Sequence, residues 1–377
     1  TTLFRSVCRR QAHEGLKARR PRRPVHGEGP VGDRPRTCEC EDPRPGVVGP
    51  GVVRLRCARE VDGIHLQSDL GDDTALVEFA EIDGEFLAFV VTADDFQVFP
   101  QLCVETEIVE LLSQLYFQVE ALRNNPRAIE VHFYELTLRT RRVLSKLYDL
   151  LLLPLEKLVG LRRLVVAPHR SLHYVPFHAL YDGFAYIVEN REVVYTPSAA
   201  VLQNCLEKPR RKLKNALFVG VSDDRIPLVA KEIEELSAIL TGESLLNGAA
   251  TLTAISERSA HKEILHLACH GQFRADNPLF SSLKLADSWL TVRDIYSLNL
   301  DADLVVLSAC ETGLSRIAPG DEMLGLARGF FSTGANSLVL SLWNVDDATT
   351  VDLMRRFYTE IGAGSSPATA LRRAQCE

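Results

Sequence analysis

Ile264-Leu-His-Leu-Ala-Cys-His270-Gly271 and Leu304-Val-Val-Leu-Ser-Ala-Cys310-Glu-Thr-Gly313 decide the fold of this 377-residue chain. Each is a short apolar run that ends on a titratable side chain and is closed by a glycine, the pattern of a strand buried on both faces. The sequence around them alternates regularly. Strand patterns at 216–221, 244–246, 263–269, 304–308 and 337–342 are separated by helix patterns at 229–240, 252–260, 291–298, 322–333 and 347–360. That alternation predicts an α/β unit with a mainly parallel sheet and helices on both faces. Ligands bind such sheets beyond the carboxyl ends of the strands, so chemistry is expected where His270 and Cys310 lie.

If the two runs are neighbours, about 4.8 Å apart, an imidazole and a thiol meet across one site. A thiol with a pKa of about 8.5 is only a few per cent ionised at neutral pH, and an adjacent imidazole raises that fraction or takes the proton during attack. Gly271 lets its backbone N–H approach a reacting carbonyl, and together with the N–H of Cys310 it could form an oxyanion hole worth about 3 kcal/mol. Taken singly, His270 reads as a capping residue and Cys310 as a small core residue; their joint placement at two strand ends favours a reactive pair. His266 and Cys269 are an odd number of residues apart and face opposite sides of a strand, and no further pair has zinc spacing, so no metal is expected. No phosphate-binding glycine motif occurs, and no cofactor is expected. His169, His173 and His178 surround a proline-containing turn and read as local packing.

The rest of the chain sets the context. Hydrophobic residues at 46% and charged residues at 25% describe a globular protein. No run of about 18 uncharged apolar residues is present, which argues against a membrane span. The nine cysteines are odd in number and scattered, and the N-terminus lacks a signal-peptide pattern, which places the chain in a reducing cytoplasm. Residues 1–60 carry 14 Lys plus Arg against 7 acidic residues within a chain of net charge −7. This Arg/Pro/Gly-rich leader, drawn as residues 1–72, lacks interleaved aromatics and hydrophobic period; it reads as disordered or non-native sequence, not as a nucleic-acid-binding arm. The chain opens on Thr1, has no methionine before Met323 and closes after a helix-like run at 368–375, which reads as a fragment at both ends. Residues 73–206 begin with two strand patterns around Asp83-Gly84, a hairpin signal. Helical spacing follows over 104–156, and then strands at Leu164-Val-Val-Ala, Tyr186-Ile-Val and Val193-Val-Tyr. The polar stretch 207–215 reads as a linker to the 216–377 unit.

In this order, Leu265-His-Leu-Ala-Cys-His-Gly271, Asn277-Pro-Leu, Leu290-Thr-Val, Ala302 to Gly313, Gly320 to Arg328 and Ser341-Leu-Trp-Asn-Val-Asp-Asp347 resemble the CHAT family. These are caspase-like domains related to separase and caspases, often fused to tetratricopeptide repeats. The resemblance extends upstream through Leu172-His-Tyr-Val-Pro-Phe177 and Tyr195-Thr-Pro-Ser198. It implies a caspase-like three-layer sandwich preceded by a non-catalytic α/β half, with His270 and Cys310 as a catalytic dyad. The implied activity is a cysteine endopeptidase that cleaves protein substrates through a thioester and is regulated by a protein partner, as the family's upstream repeats, not detected in this sequence, would provide. The alternative is a catalytically silent scaffold or signalling module that keeps the fold for protein binding. The loop at 343–347 is expected to overhang the same edge, with Trp343 and Asp346 as a wall of the substrate pocket, although Asp346 at a helix start also fits an N-cap.

Overall fold

The computed structural model describes residues 63–377 apart from 125, 161, 210, 273–279, 299, 301, 309–321 and 344. It opens with helix α1 (Gly63–Leu70), followed by strands β1 (Thr74–Ile82), β2 (Glu85–Val91) and β3 (Phe96–Val104). Asp83 and Gly84 both take positive φ, 53° and 85°, the geometry that a two-residue hairpin loop requires. Two long helices, α2 (Glu105–Asn124) and α3 (Pro126–Leu151), then lead to β4 (Arg163–Ala167). Helix α4 (Ile187–Asn190), β5 (Val193–Tyr195) and α5 (Ala199–Leu206) complete the N-terminal half. Its sheet runs β3-β2-β1-β4-β5, antiparallel at β3-β2-β1 and parallel from β1 to β5. Leu112 and Leu115 of α2 and Leu144 and Leu147 of α3 close one face of it.

Two differences from the sequence reading have local causes. Helix α1 lies ahead of Asp73, where order was expected to begin; Leu66 is 1% exposed and Gln67 donates to the carbonyls of Thr92 and Asp95. Its three apolar residues are too few to display a helical period. Ile187–Asn190 is helical where a strand was expected, because the Glu189 carboxylate accepts the Tyr186 N–H and tightens the chain into a turn.

The second half contains the predicted alternation. Its elements are β6 (Ala216–Gly220), α6 (Val229–Ile239), β7 (Gly242–Leu246), α7 (Leu252–Arg258) and β8 (Ile264–Ala268). Then come β9 (Gly271–Gln272), β10 (Ser282–Lys284), β11 (Trp289–Thr291), α8 (Val292–Ser297) and β12 (Leu304–Ser308). Helix α9 (Glu322–Ser332), β13 (Ser337–Leu340), α10 (Asp347–Gly362) and α11 (Pro367–Cys376) follow. β13-β12-β8-β6-β7 form one wholly parallel sheet, and β11-β10-β9 form a small antiparallel sheet that the sequence reading did not anticipate.

Period-two alternation sorts the strand residues of the main sheet to two cores. Leu265, Leu267 and Cys269 join Val305 and Leu307 under α8 and α9, while Ile264 and Ala268 join Leu304 and Val306 under α6, α10 and α11. Helix α6 lies so close that a Cβ on Gly220 would come within 2.8 Å of Ile233. The two halves are tied by side chains. Lys208, in the stretch read as a linker, donates to the Gly334 carbonyl, and Arg372 of α11 donates to the carbonyls of Val188 and Glu189.

Removing residues 1–60 is expected to leave the melting temperature of the remainder unchanged within a few degrees. By contrast, Leu66→Ala should cost about 2–4 kcal/mol in urea unfolding, because it opens a cavity beneath α1.

Candidate functional site

The parallel register brings three strand ends together. Gly220 of β6, Ala268 of β8 and Ser308 of β12 lie in step across the sheet, with β8 in the middle. Beyond Ala268 the chain reaches His270, which is 7% exposed. Cys310 follows Ser308 by two positions in the sequence and lies outside the described residues. Ser308 itself is buried.

On the other side of His270 the structure supplies a partner that the sequence reading missed. His270 Nε2 is 2.9 Å from Oδ1 of Asp223, in the loop after β6. A carboxylate can only accept, so Nε2 carries a proton, and in the neutral ring Nδ1 keeps its lone pair. Nδ1 is buried and has no hydrogen-bond partner among the described residues. This is the tautomer a general base toward a thiol requires, with the carboxylate fixing the ring. Asp223 also accepts from the Arg225 N–H at 3.0 Å and from Lys284 Nζ at 3.3 Å. Burial alone would push its carboxyl up, but these hydrogen bonds, His270 first, outweigh it and hold the carboxyl well below the usual carboxylate range. An acidic residue just past the end of the neighbouring parallel strand was the available sequence signal. Lys284 had none, because β10 itself was not legible.

The small sheet holds the His270 backbone. The Lys284 N–H donates to the His270 carbonyl at 2.8 Å, and Gly271 is paired with Leu283. In an antiparallel ladder hydrogen-bonded pairs alternate with non-bonded ones, so the Gly271 N–H faces away from β10. That direction is compatible with the oxyanion role expected of it.

Other expected residues divide. Cys269 is buried on the opposite side of the sheet from His266, and burial pushes its thiol up to about 12, partly offset by the Lys284 N–H. It is a poor thiolate. Cys103 is likewise raised to about 12 by burial. Among the described residues no group of three or more His, Cys, Asp or Glu is placed to hold a metal ion. Trp343 meets Tyr116 of α2 edge-on at 6.1 Å, so this loop is braced by the N-terminal half. Asp346 is the N-cap of α10, its Oδ1 accepting the Thr349 N–H at 2.9 Å. Its carboxylate is thus engaged by the helix start, the competing role weighed for it. His178 bonds locally to Tyr195 OH at 3.1 Å, and burial lowers it to about 4.

Comparison with known proteins follows the same lines. The CHAT domain family model matches residues 141–377. Tetratricopeptide repeat protein 28 of Mus musculus and that of Homo sapiens are each 24% identical over 301 positions, covering 61% of this chain. The chain spans 12% of the length of these relatives. In the crystal structure of the Saccharomyces cerevisiae separase–securin complex, a chain superposes with a TM-score of 0.58 at 10% identity, over 83% of this chain and 30% of that one. The fold is therefore of the separase, caspase-like kind. No described helix is long and apolar enough to cross a membrane.

Two measurements test this geometry. In the unfolded chain Asp223 titrates near 3.8 and in the folded chain lower. Its stabilisation is therefore complete above about pH 5 and fades as pH falls below about 4. Urea midpoints of the wild type and Asp223→Asn should accordingly differ at pH 6 and converge in acid. Asp346→Ala should lose about 1 kcal/mol by thermal or urea unfolding, as removal of a cap requires.

Proposed function

This chain belongs to the CHAT domain family, and we propose that it is a cysteine endopeptidase in which His270 and Cys310 form the catalytic dyad and Asp223 orients the histidine. The observation that carries this reading is the His270 ring, tied to Asp223 through Nε2 and presenting a buried Nδ1 that has no hydrogen-bond partner among the described residues. β12, which pairs with β8 on the side away from β6, is the strand that precedes Cys310 in the sequence.

Nδ1 accepts the Cys310 proton as sulfur attacks the scissile carbonyl carbon. The resulting oxyanion is received by the N–H groups of Gly271 and Cys310. Collapse of the tetrahedral intermediate breaks the C–N bond, the imidazolium returns its proton to the leaving amine, and a thioester remains. Water then attacks with His270 again as base, releasing the acid and the thiol. Trp343 remains the proposed apolar wall of the substrate cleft; Asp346 is withdrawn in favour of its cap role.

A protein partner is proposed as regulator, by analogy with separase, which is held in a complex with securin, and with relatives that carry tetratricopeptide repeats. A reducing, cytoplasmic setting suits a thiol nucleophile, and Cys103, Cys205, Cys269 and Cys376 are unbridged.

A thiol-reactive peptide probe should label Cys310 in the wild type. Cys310→Ala and His270→Ala should both abolish labelling at that site and proteolysis of a denatured protein substrate, with circular dichroism unchanged. Cys269→Ser should retain activity. Proteolysis that persists in Cys310→Ala would refute the dyad, and a folded wild type that neither labels nor cleaves would make the chain a silent scaffold.

A further inference from the structure

Beneath the proposed site the core contains three polar side chains that the chemistry above does not use. His266 of β8 is 0% exposed, Glu232 of α6 is 2% exposed and Tyr358 of α10 is 0% exposed. His266 Nδ1 lies 3.1 Å from Tyr358 OH, and its Nε2 lies 3.1 Å from Glu232 Oε1. This second approach is close but not aligned as a hydrogen bond, since neither atom has a partner with hydrogen-bond geometry. Aromatic rings surround the histidine: those of Phe218 and Tyr358 lie 6.0 and 5.6 Å from that of His266, and Phe357 packs on Tyr358.

Such a cluster is costly. Three polar groups removed from water recover little unless each is fully bonded, and replacing a buried polar pair with apolar groups of similar volume is often neutral or stabilising. Stability alone does not account for Glu, His and Tyr where Leu, Met and Phe would fill the space. Their positions suggest what does. His266 is in the middle of β8 and His270 follows the end of that strand by two residues, so a shift of β8 moves both imidazoles. Glu232 lies on the helix that the Asp223 loop feeds, so β8 meets this segment twice: in the core by the close approach of His266 to Glu232 and at the edge by the hydrogen bond of His270 to Asp223. Tyr358 lies on the helix that Asp346 caps, and the neighbouring Asp347 accepts the Leu228 N–H at 2.9 Å just ahead of α6. The ring β8, α6, α10 is thereby closed, and tilting either helix against β8 would change the distance from Asp223 to His270.

We propose that Glu232 and Tyr358 are positioning residues which, by clamping His266 between them, hold strand β8 against α6 and α10 and so set His270 for its work with Asp223 and Cys310. This rests on the dyad reading above. Neither residue touches the reacting atoms.

The test is the pH dependence of Cys310 alkylation by iodoacetamide, followed on the full chain by mass spectrometry of the peptide containing Cys310. In Tyr358→Phe, which deletes one oxygen, the inflection is expected to move toward about 8.5, the value of an ordinary thiol, with the rate at pH 7 falling about tenfold. The apolar triple variant Glu232→Leu, His266→Met, Tyr358→Phe is expected to show the same displacement while its melting temperature holds or rises, a combination that a merely structural role would not produce. His270→Ala separates the two ideas. If it leaves the alkylation profile where the wild type has it, the dyad reading fails. If it moves the profile but Tyr358→Phe and the triple variant do not, the positioning proposal is overturned and the dyad stands. Should the triple variant not fold, the Tyr358→Phe profile decides by itself.

Discussion

Everything at the candidate site depends on β6, β8 and β12 running parallel and in step. Main-chain hydrogen bonds align Phe218, His266 and Val306 in one row and Gly220, Ala268 and Ser308 two residues later. Parallel strands send all their carboxyl ends to one edge, so the residues that follow converge there although they are far apart in sequence. The central position of β8 places its end between those of β6 and β12 and gives His270 a carboxylate from the β6 loop. An antiparallel neighbour would have carried one of them to the opposite edge.

The same geometry separates groups that must not compete. Alternation sends His266 to one core and Cys269 to the other, and burial leaves Cys269 a thiol that resists ionisation. His270 lies just past the paired segment, where its ring is held by a side chain and its carbonyl by the small sheet. Residues at strand ends escape the tight packing of the interior while keeping its rigidity, and this combination suits a group that must move a proton without moving itself.

The N-terminal half contributes by bracing. Arg372 grips the carbonyls at the end of α4, Thr369 donates to Glu192, and Trp343 stacks edge-on against Tyr116. The loop that carries Trp343 is thus anchored on helix α2 of the other half, not on the sheet whose strand β8 leads to His270. The fold shared with separase at 10% identity persists because hydrophobic alternation and strand order, more than particular side chains, specify it.

Much of this was legible in the residues themselves. Period two against period three to four separated the strands of the parallel sheet from the helices of 216–377, because those elements are long enough to show their buried faces. Parity assigned His266 and Cys269 to opposite sides, and an Asp before a helix announced the cap at Asp346. What remained hidden had no local signal. β9 to β11 are two or three residues long, α1 offers three apolar residues, and Tyr186-Ile-Val became a helical turn through one carboxylate three residues on. Asp223, Lys284, Glu232 and Tyr358 are ordinary polar residues in sequence; their meaning arises from distances to His270 and His266 across strands and helices that only the packed chain brings together. Sequence thus determined which segments are the strands of the parallel sheet, since that follows from local periodicity. Tertiary structure alone decided which partners surround His270 and His266, since hydrogen bonds at about 3 Å require neighbours that periodicity does not specify.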